Sequence, residues 1–158
     1  MIIVLAPSGS GKSYAAEKYP NSFVDGDIIV ASTVGWPPGK WWKLPNALET
    51  KIKTWSALYK WTTQFKEDPR AVLFNVDPSV VDPSVISGIW IPNEHIALRN
   101  LRYRWEKYNS SKNPQPTDLE TFRRSARRYR SWSAEWGIPI YGGETPPRPP
   151  ERASSLKD

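Results

Sequence analysis

Apolar residues fall along the chain in short continuous runs separated by longer amphipathic stretches. Ile2 to Leu5 (IIVL) has the length and composition of a fully buried strand. Gly11-Lys12-Ser13 then opens a helix to about Tyr19, where Pro20 ends it by lacking an N–H and clashing with the preceding turn. Ser22 to Asp27 (SFVDGD) reads as a second strand that runs into two carboxylates, and from Ile28 to Pro45 no period holds. Asn46 and Glu49 stand in the spacing of a capping box, with Asn in place of Ser or Thr. Leu48, Ile52, Trp55, Tyr59 and Thr62 follow at helical spacing, with Phe65 near the end and Pro69 beyond it.

Ala71 to Asp77 (AVLFNVD) is a third predicted strand, and the two Asp-Pro-Ser sequences at Asp77 and Asp82 mark turns. Gly88 to Pro92 (GIWIP) is a fourth. A helix from about Asn93 to Tyr108 places Leu101, Trp105 and Tyr108 inward, before the loop 109–116 (NSSKNPQP). Thr117 and Glu120 form a second capping box, leading a helix with Leu119, Phe122, Ala126, Tyr129 and Trp136 on one face and Gly137 as its stop. IPIYGG is a fifth strand, and the Pro-rich, polar segment 144–158 reads as a disordered tail. Strands alternating with helices predict an α/β domain with a parallel sheet. Ligands of such sheets sit at the carboxyl ends of the strands, where Ala6, Asp25, Asp27, Asp77 and Tyr141 all fall.

The length of 158 residues suits one domain with a proper core. With no cysteine, disulfides and thiolate metal sites are excluded. No run is long enough to span a membrane, and MIIVL is too short for a signal-peptide core, so the expectation is a cytoplasmic protein with no membrane partner. A net charge of +6 and nine tryptophans favour an anionic partner, a nucleotide or a nucleic acid, although several of the indoles must fill the core.

The sixth to thirteenth residues, APSGSGKS, have the spacing of a phosphate-binding loop with Ala6 where the first glycine usually stands. Glycines let successive backbone N–H groups turn inward around phosphate oxygens, and the helix that starts there adds the positive end of its dipole. On this reading Pro7, Ser8, Gly9, Ser10, Gly11, Lys12, Ser13 and Tyr14 hold the nucleotide, Lys12 reaches its β- and γ-phosphates, and the Ser13 hydroxyl holds Mg²⁺.

This loop at the N-terminus, the VDGD that ends the second strand and the Arg-bearing helix after the fourth strand resemble the small P-loop kinases. That group includes nucleoside-monophosphate, shikimate, gluconate and adenylylsulfate kinases and the kinase domain of polynucleotide kinases. The resemblance covers residues 1–143. It implies a three-layer fold whose five-stranded parallel sheet has the order 2-3-1-4-5, with helices on both faces. It further implies ATP and Mg²⁺ as cosubstrates, an acceptor-binding insertion at 28–66 and a lid loop at about 109–116. Asp25 and Asp27 match the family's acidic pair, one organising Mg²⁺ and the other taking the proton of the attacking hydroxyl, with Asp27 favoured as the base. Two positions apart on a strand, they are expected to share a face. Lid arginines are expected among Arg99, Arg102 and Arg104 before the loop and Arg123, Arg124, Arg127 and Arg128 after it, with Arg99, Arg102 and Arg123 foremost.

Three features stay open at this level. Asp77 is either the acidic end of a strand that contacts Mg²⁺ through water or the cap of the turn at Pro78. Trp36, Lys40, Trp41 and Trp42, with Lys43, either bind the acceptor or form a small core for the insertion. His95 has no companion ligands and reads as structural or exposed. The function expected is transfer of the γ-phosphoryl group of ATP to a nucleotide or polynucleotide 5′ end, with the base contact at the YGGE after the fifth strand. The alternatives are a small-metabolite kinase, a nucleic-acid-stimulated ATPase and a nucleotide-binding module without turnover.

Overall fold

A computed structural model of the chain describes residues 1–35, 43–108 and 116–149, and only the backbone of residues 104, 105, 107, 108 and 116–118. The described residues form a 5-stranded sheet of β1 (Ile2–Leu5), β2 (Phe23–Asp25), β3 (Ala71–Phe74), β4 (Gly88–Trp90) and β5 (Ile140–Tyr141). All pairings are parallel and the spatial order is β2-β3-β1-β4-β5, as expected. The helices are α1 (Lys12–Lys18), α2 (Gly26–Thr33), α3 (Ala47–Gln64), α4 (Glu94–Tyr108) and α5 (Pro116–Trp136).

The period of two along β1 divides the core between the two faces of the sheet. Ile3 and Leu5 join Val72, Phe74 and Ile89 under α2, α3 and α5, which contribute Ile29 and Val30, Trp55 and Leu58, and Phe122, Ala126 and Tyr129. Val4 and Ala6 point the other way, with Leu73 and Trp90, onto Ala15 of α1. Leu5 lies opposite both Phe74 and Ile89, and Asp25 opposite Leu73, so these strands end at one rim.

Several elements differ from expectation, each for a local reason. The second strand stops at Asp25, and 26–33, read as strand end and irregular chain, is helix. Asp25 has extended backbone, and its side chain accepts the Asp27 N–H at 3.0 Å, so it caps α2 and turns the chain out of the sheet. Asn46 begins α3 without a side-chain cap, because its φ of −93° and ψ of 20° are not the extended geometry a cap requires. On α3 the buried stripe is Thr54, Trp55, Leu58 and Thr62, whereas Leu48, Ile52 and Tyr59 are exposed. The stripe is rotated from the expected one because α3 packs against α2 and the turn at Pro78–Val80.

Both Asp-Pro-Ser segments are single 3₁₀ turns, in which Asp77 and Asp82 accept the N–H groups of Ser79 and Ser84. The backbone of α5 starts at Pro116, and its buried face ends with Trp132, leaving Trp136 half exposed. Gly137 stops it at a φ of +67°. The expected inward placement of Trp105 and Tyr108, the Thr117 cap and the lid loop up to residue 115 lie outside the described residues, as do residues 150–158 of the tail.

Residues 144–149 are laid against the sheet, contrary to their reading as the start of a disordered tail. The Trp90 indole N–H donates to the Gly143 carbonyl at 2.8 Å, Pro146 and Pro149 are buried, and Arg148 donates to the Pro69 carbonyl. Proline rings need no hydrogen-bonding partner for an N–H, so this strip can cover apolar surface without forming a strand. Among the described residues no helix is long and apolar enough to cross a membrane.

Close packing of α2 on the sheet depends on Gly26, where a Cβ would stand 2.5 Å from Phe74 Cδ1 and 3.0 Å from the Leu73 carbonyl oxygen. Gly26→Ala is therefore expected to lose about 1–3 kcal/mol of stability through overpacking. Urea denaturation measures this, with a loss below about 0.5 kcal/mol counting against the tight approach.

Candidate active site

The loop after β1 closes around its own backbone. Ser10 donates from both its N–H (3.2 Å) and its hydroxyl (2.7 Å) to the Pro7 carbonyl. Gly9 has a φ of +85° and Gly11 of +105°, backbone that a side chain strains. Gly11 is constrained twice, since its Cβ would also stand 2.2 Å from Asn100 Nδ2. That amide, on α4, donates to the Ser10 carbonyl at 2.8 Å and is buried with it. Ala6 needs no such freedom. Its N–H continues the ladder to Phe74 at 2.9 Å and its methyl packs in the core with Ala15, so a methyl stands here without cost to the loop.

Lys12, Ser13, Asp27 and Asn100 line a cavity of about 70 Å³ beside this loop. The Ser13 hydroxyl donates to Asp25 Oδ2 at 2.8 Å, while Asp25 Oδ1 takes the Asp27 N–H. Asp25 thus links the first turns of α1 and α2, and Asp27, in the first turn of α2, does not share a strand face with it. Strand geometry is replaced by cap geometry, which still brings Asp27 to the cavity.

Tyr14 follows on α1, its ring edge-on to Tyr103 with centroids 4.7 Å apart. The Arg99 guanidinium lies 5.5 Å from the Tyr14 ring centroid and pairs with Glu144 beyond β5. These three side chains, with Trp90, Thr145 and Pro146, line a cavity of about 170 Å³ next to the loop. Glu144, the last residue of the YGGE segment, therefore stands beside α1 with Arg99 paired to it. Arg102 is exposed. Arg123 is held by Glu94 at 2.9 Å and lies 3.9 Å from Glu120, which ties α5 to the start of α4. It does not line the phosphate-loop cavity.

Asp77 is not brought to that cavity either. It caps its own turn and is clamped between two cations, Lys51 Nζ of α3 at 2.7 Å and Arg128 of α5 at 2.6 Å. Burial pushes its carboxyl up, but the Lys51 bond, the Ser79 N–H and the Arg128 charge outweigh this and hold it below the ordinary value of 3.8. Asp77, Lys51 and Arg128 line a second cavity of about 370 Å³, together with Ser8, Arg124 and Tyr129. Tyr129 is buried beneath it. Its hydroxyl accepts the Val76 N–H at 3.0 Å, with the Val76 carbonyl 2.8 Å and Asn75 Oδ1 3.0 Å away as acceptors for its proton. Burial raises its phenol well above the usual range.

Ser8 borders the second cavity and Gly9 the first, so the loop after β1 is the partition between them. Asn100 and Lys51 were missed by sequence reasoning, and Arg124 and Arg128 were read only as lid residues. The available signals were weak ones: an amide between the inward positions Ala97 and Leu101, and two arginines one helical turn apart. Trp36, Lys40, Trp41 and Trp42 lie outside the described residues. His95 is exposed on α4, and no group of three or more metal-ligating side chains occurs among the described residues.

The donor set suits a nucleotide with a hard cation. Glycine backbone and a lysine are groups that donate to phosphate oxygens, while one serine hydroxyl and one carboxylate are what Mg²⁺ takes when phosphate and water supply its remaining ligands. Strand, glycine loop and helix in this sheet order define a P-loop kinase fold. A solved structure of shikimate kinase from Acinetobacter baumannii in complex with shikimate has the same fold, with a TM-score of 0.51 and 12% sequence identity over 99% of this chain and 88% of that one. No protein-family model and no curated protein matches the sequence.

Two measurements check this geometry. Gly11→Ala puts a methyl into Asn100 at a positive φ and is expected to lower unfolding free energy by about 1–3 kcal/mol, read by urea denaturation. The ion pairs of Asp77 depress its carboxyl in the folded state, so their stabilisation is complete above 3.8 and is lost as pH falls through the lower folded value. Lys51 and Arg128 reach solvent, which limits this to about 1 kcal/mol. Asp77→Asn should therefore lower Tm at neutral pH, and the gap to the wild type should narrow below about pH 4.

Proposed function

We propose that the chain is a phosphotransferase that moves the γ-phosphoryl group of ATP to a hydroxyl acceptor, with a nucleotide or a polynucleotide 5′ end as the acceptor class. What supports this above all is the phosphate loop standing as a shared wall between two cavities, one with Lys12, Ser13 and Asp27 and the other with Lys51, Arg124 and Arg128. A protein that only hydrolyses or holds a nucleotide has no need of the second.

The backbone of residues 8–13 and Lys12 bind and orient the triphosphate, their positive charge facing the transferring group. Ser13 and Asp25 are the residues to hold Mg²⁺, which neutralises phosphate charge when bound. Asp27, at the same cavity and free of the strand, takes the proton of the attacking hydroxyl. Arg99, beside Tyr14 and Glu144, borders the 170 Å³ cavity that receives the nucleotide base. α4 and α5 roof the loop through Asn100, Leu101 and Phe122, which keeps water from that side of the reacting group.

With γ-labelled ATP and a panel of nucleosides, monophosphates and 5′-hydroxyl oligonucleotides, label should appear in an acceptor. Lys12→Ala is expected to reduce transfer at least about 100-fold. Asp27→Asn should lower kcat by about 10²- to 10⁴-fold with ATP affinity retained. Label found only in free phosphate would exclude the kinase reading, and loss of ATP binding in Asp27→Asn would refute the role given to that carboxylate.

A further inference from the structure

On α3 the burial of several residues runs against their polarity. Leu48, Ile52 and Tyr59 are exposed, as is Leu44 just before the helix, whereas Thr54 and Thr62 are buried. The two threonine hydroxyls donate to carbonyls of their own helix, Thr54 to Lys51 at 3.0 Å and Thr62 to Tyr59 at 2.8 Å. Satisfied in this way they are tolerated inside, but that gives no reason for a leucine and an isoleucine to stand outside. Leu48, Ile52, Ser56, Tyr59 and Thr63, all exposed, fall within about 80° of rotation around the helix axis. They form one stripe without a charge, and Glu49, Lys53 and Lys60 follow along one margin of it. The Tyr59 ring is held in place by stacking on Trp55, with centroids 6.0 Å apart and 28° between the planes.

We infer that this stripe is the seam of a homodimer, in which α3 of a second copy packs antiparallel against it. The stripe is self-complementary about a two-fold axis near Ser56. Ile52 of each copy meets Tyr59 of the other, Leu48 meets Thr63, and the small Ser56 at the axis lets the helices approach closely. An uncharged centre with a polar margin is the composition of a protein interface. Leu44, Leu48, Ile52 and Tyr59 present on the order of 400 Å² per copy, so pairing removes on the order of 800 Å². With the polar margin this reaches the roughly 1,000 Å² that a specific interface needs, at the small end of the range. Lys51 and Thr54, which line the second cavity, stand about 60° or more outside the stripe, so a second copy leaves that cavity open. The dimer is independent of the phosphotransferase reading.

Sedimentation velocity of the full chain over about 1–100 μM should show the mass rising from 18.1 kDa toward twice that value. Each copy carries a charge of +6, which opposes association, so the dimer should tighten as salt is raised from about 50 to 500 mM. Ile52→Glu should weaken association at least about tenfold, even though it lowers the net charge and with it the general repulsion. Ile52→Leu should keep the dimer, as should Arg130→Glu on the surface of α5. The chain has no cysteine, so nitroxide labels can be placed singly by Glu49→Cys or Lys53→Cys. In an antiparallel pair the separation between copies should be about 12 Å longer at position 49 than at position 53.

A mass that stays at one copy over the whole range, that climbs past two copies, or that is unmoved by Ile52→Glu would each overturn the inference. So would association that weakens with salt, or equal label separations at the two positions. Thermal unfolding at a concentration where the wild type is monomeric supplies the remaining check. Ile52→Glu should leave Tm unchanged there; a marked drop would mean that the stripe is covered within one chain, which also overturns the dimer.

Discussion

A single buried carboxylate organises the rim at the carboxyl ends of the strands. Asp25 terminates β2, caps α2 and receives the Ser13 hydroxyl from the start of α1, so three elements meet at its two oxygens. Capping by an aspartate contributes about 0.5–2 kcal/mol to a helix. Its larger effect is geometric, because the chain leaves the sheet at this residue and not two residues later. Asp27 consequently rides on α2 and lines the cavity beside the loop after β1. The same residue that ends the strand thus receives the Ser13 hydroxyl and sets the position of the proposed base.

The glycine loop after β1 is held from above as well as from within. Asn100 of α4 takes the Ser10 carbonyl, and Leu101 and Phe122 lie within 3.5 and 3.6 Å of where a Cβ on Gly9 would stand. The two long helices thereby roof the loop, and their polar side chains are distributed between two cavities. Arg99 goes to the side of Tyr14 and Glu144, and Arg124 and Arg128 to the side of Asp77. Arg123 is consumed in joining the helices through Glu94. Arginines that look alike in sequence have separate tasks because successive helix positions differ by about 100° of rotation.

Strand positions, their alternation with helices, the glycine loop after β1 and the turns at Asp77 and Asp82 were legible in the residues alone. These are local: apolar runs, glycine and proline backbone restrictions, and side chains that bond N–H groups two residues away. The acidic pair was legible as composition but not as geometry, because a strand and a cap place the same two residues differently. On α3 the period identified a helix but not its buried stripe, since Leu48 and Trp55 are equally apolar and only the position of α2 chose between them.

The sequence by itself determined the α/β architecture and the glycine loop between β1 and α1, because backbone conformation there is dictated by residues adjacent in the chain. Ala6 shows the limit of reading such a motif by letter, for its methyl is explained by the core and not by the loop. Only the tertiary structure decided that Asp77 belongs with Lys51 and Arg128, 26 and 51 residues away, and that Asn100 reaches back 90 residues to Ser10. Charges and amides pair with whatever the packing of distant helices brings within about 3 Å, and no local pattern encodes that distance.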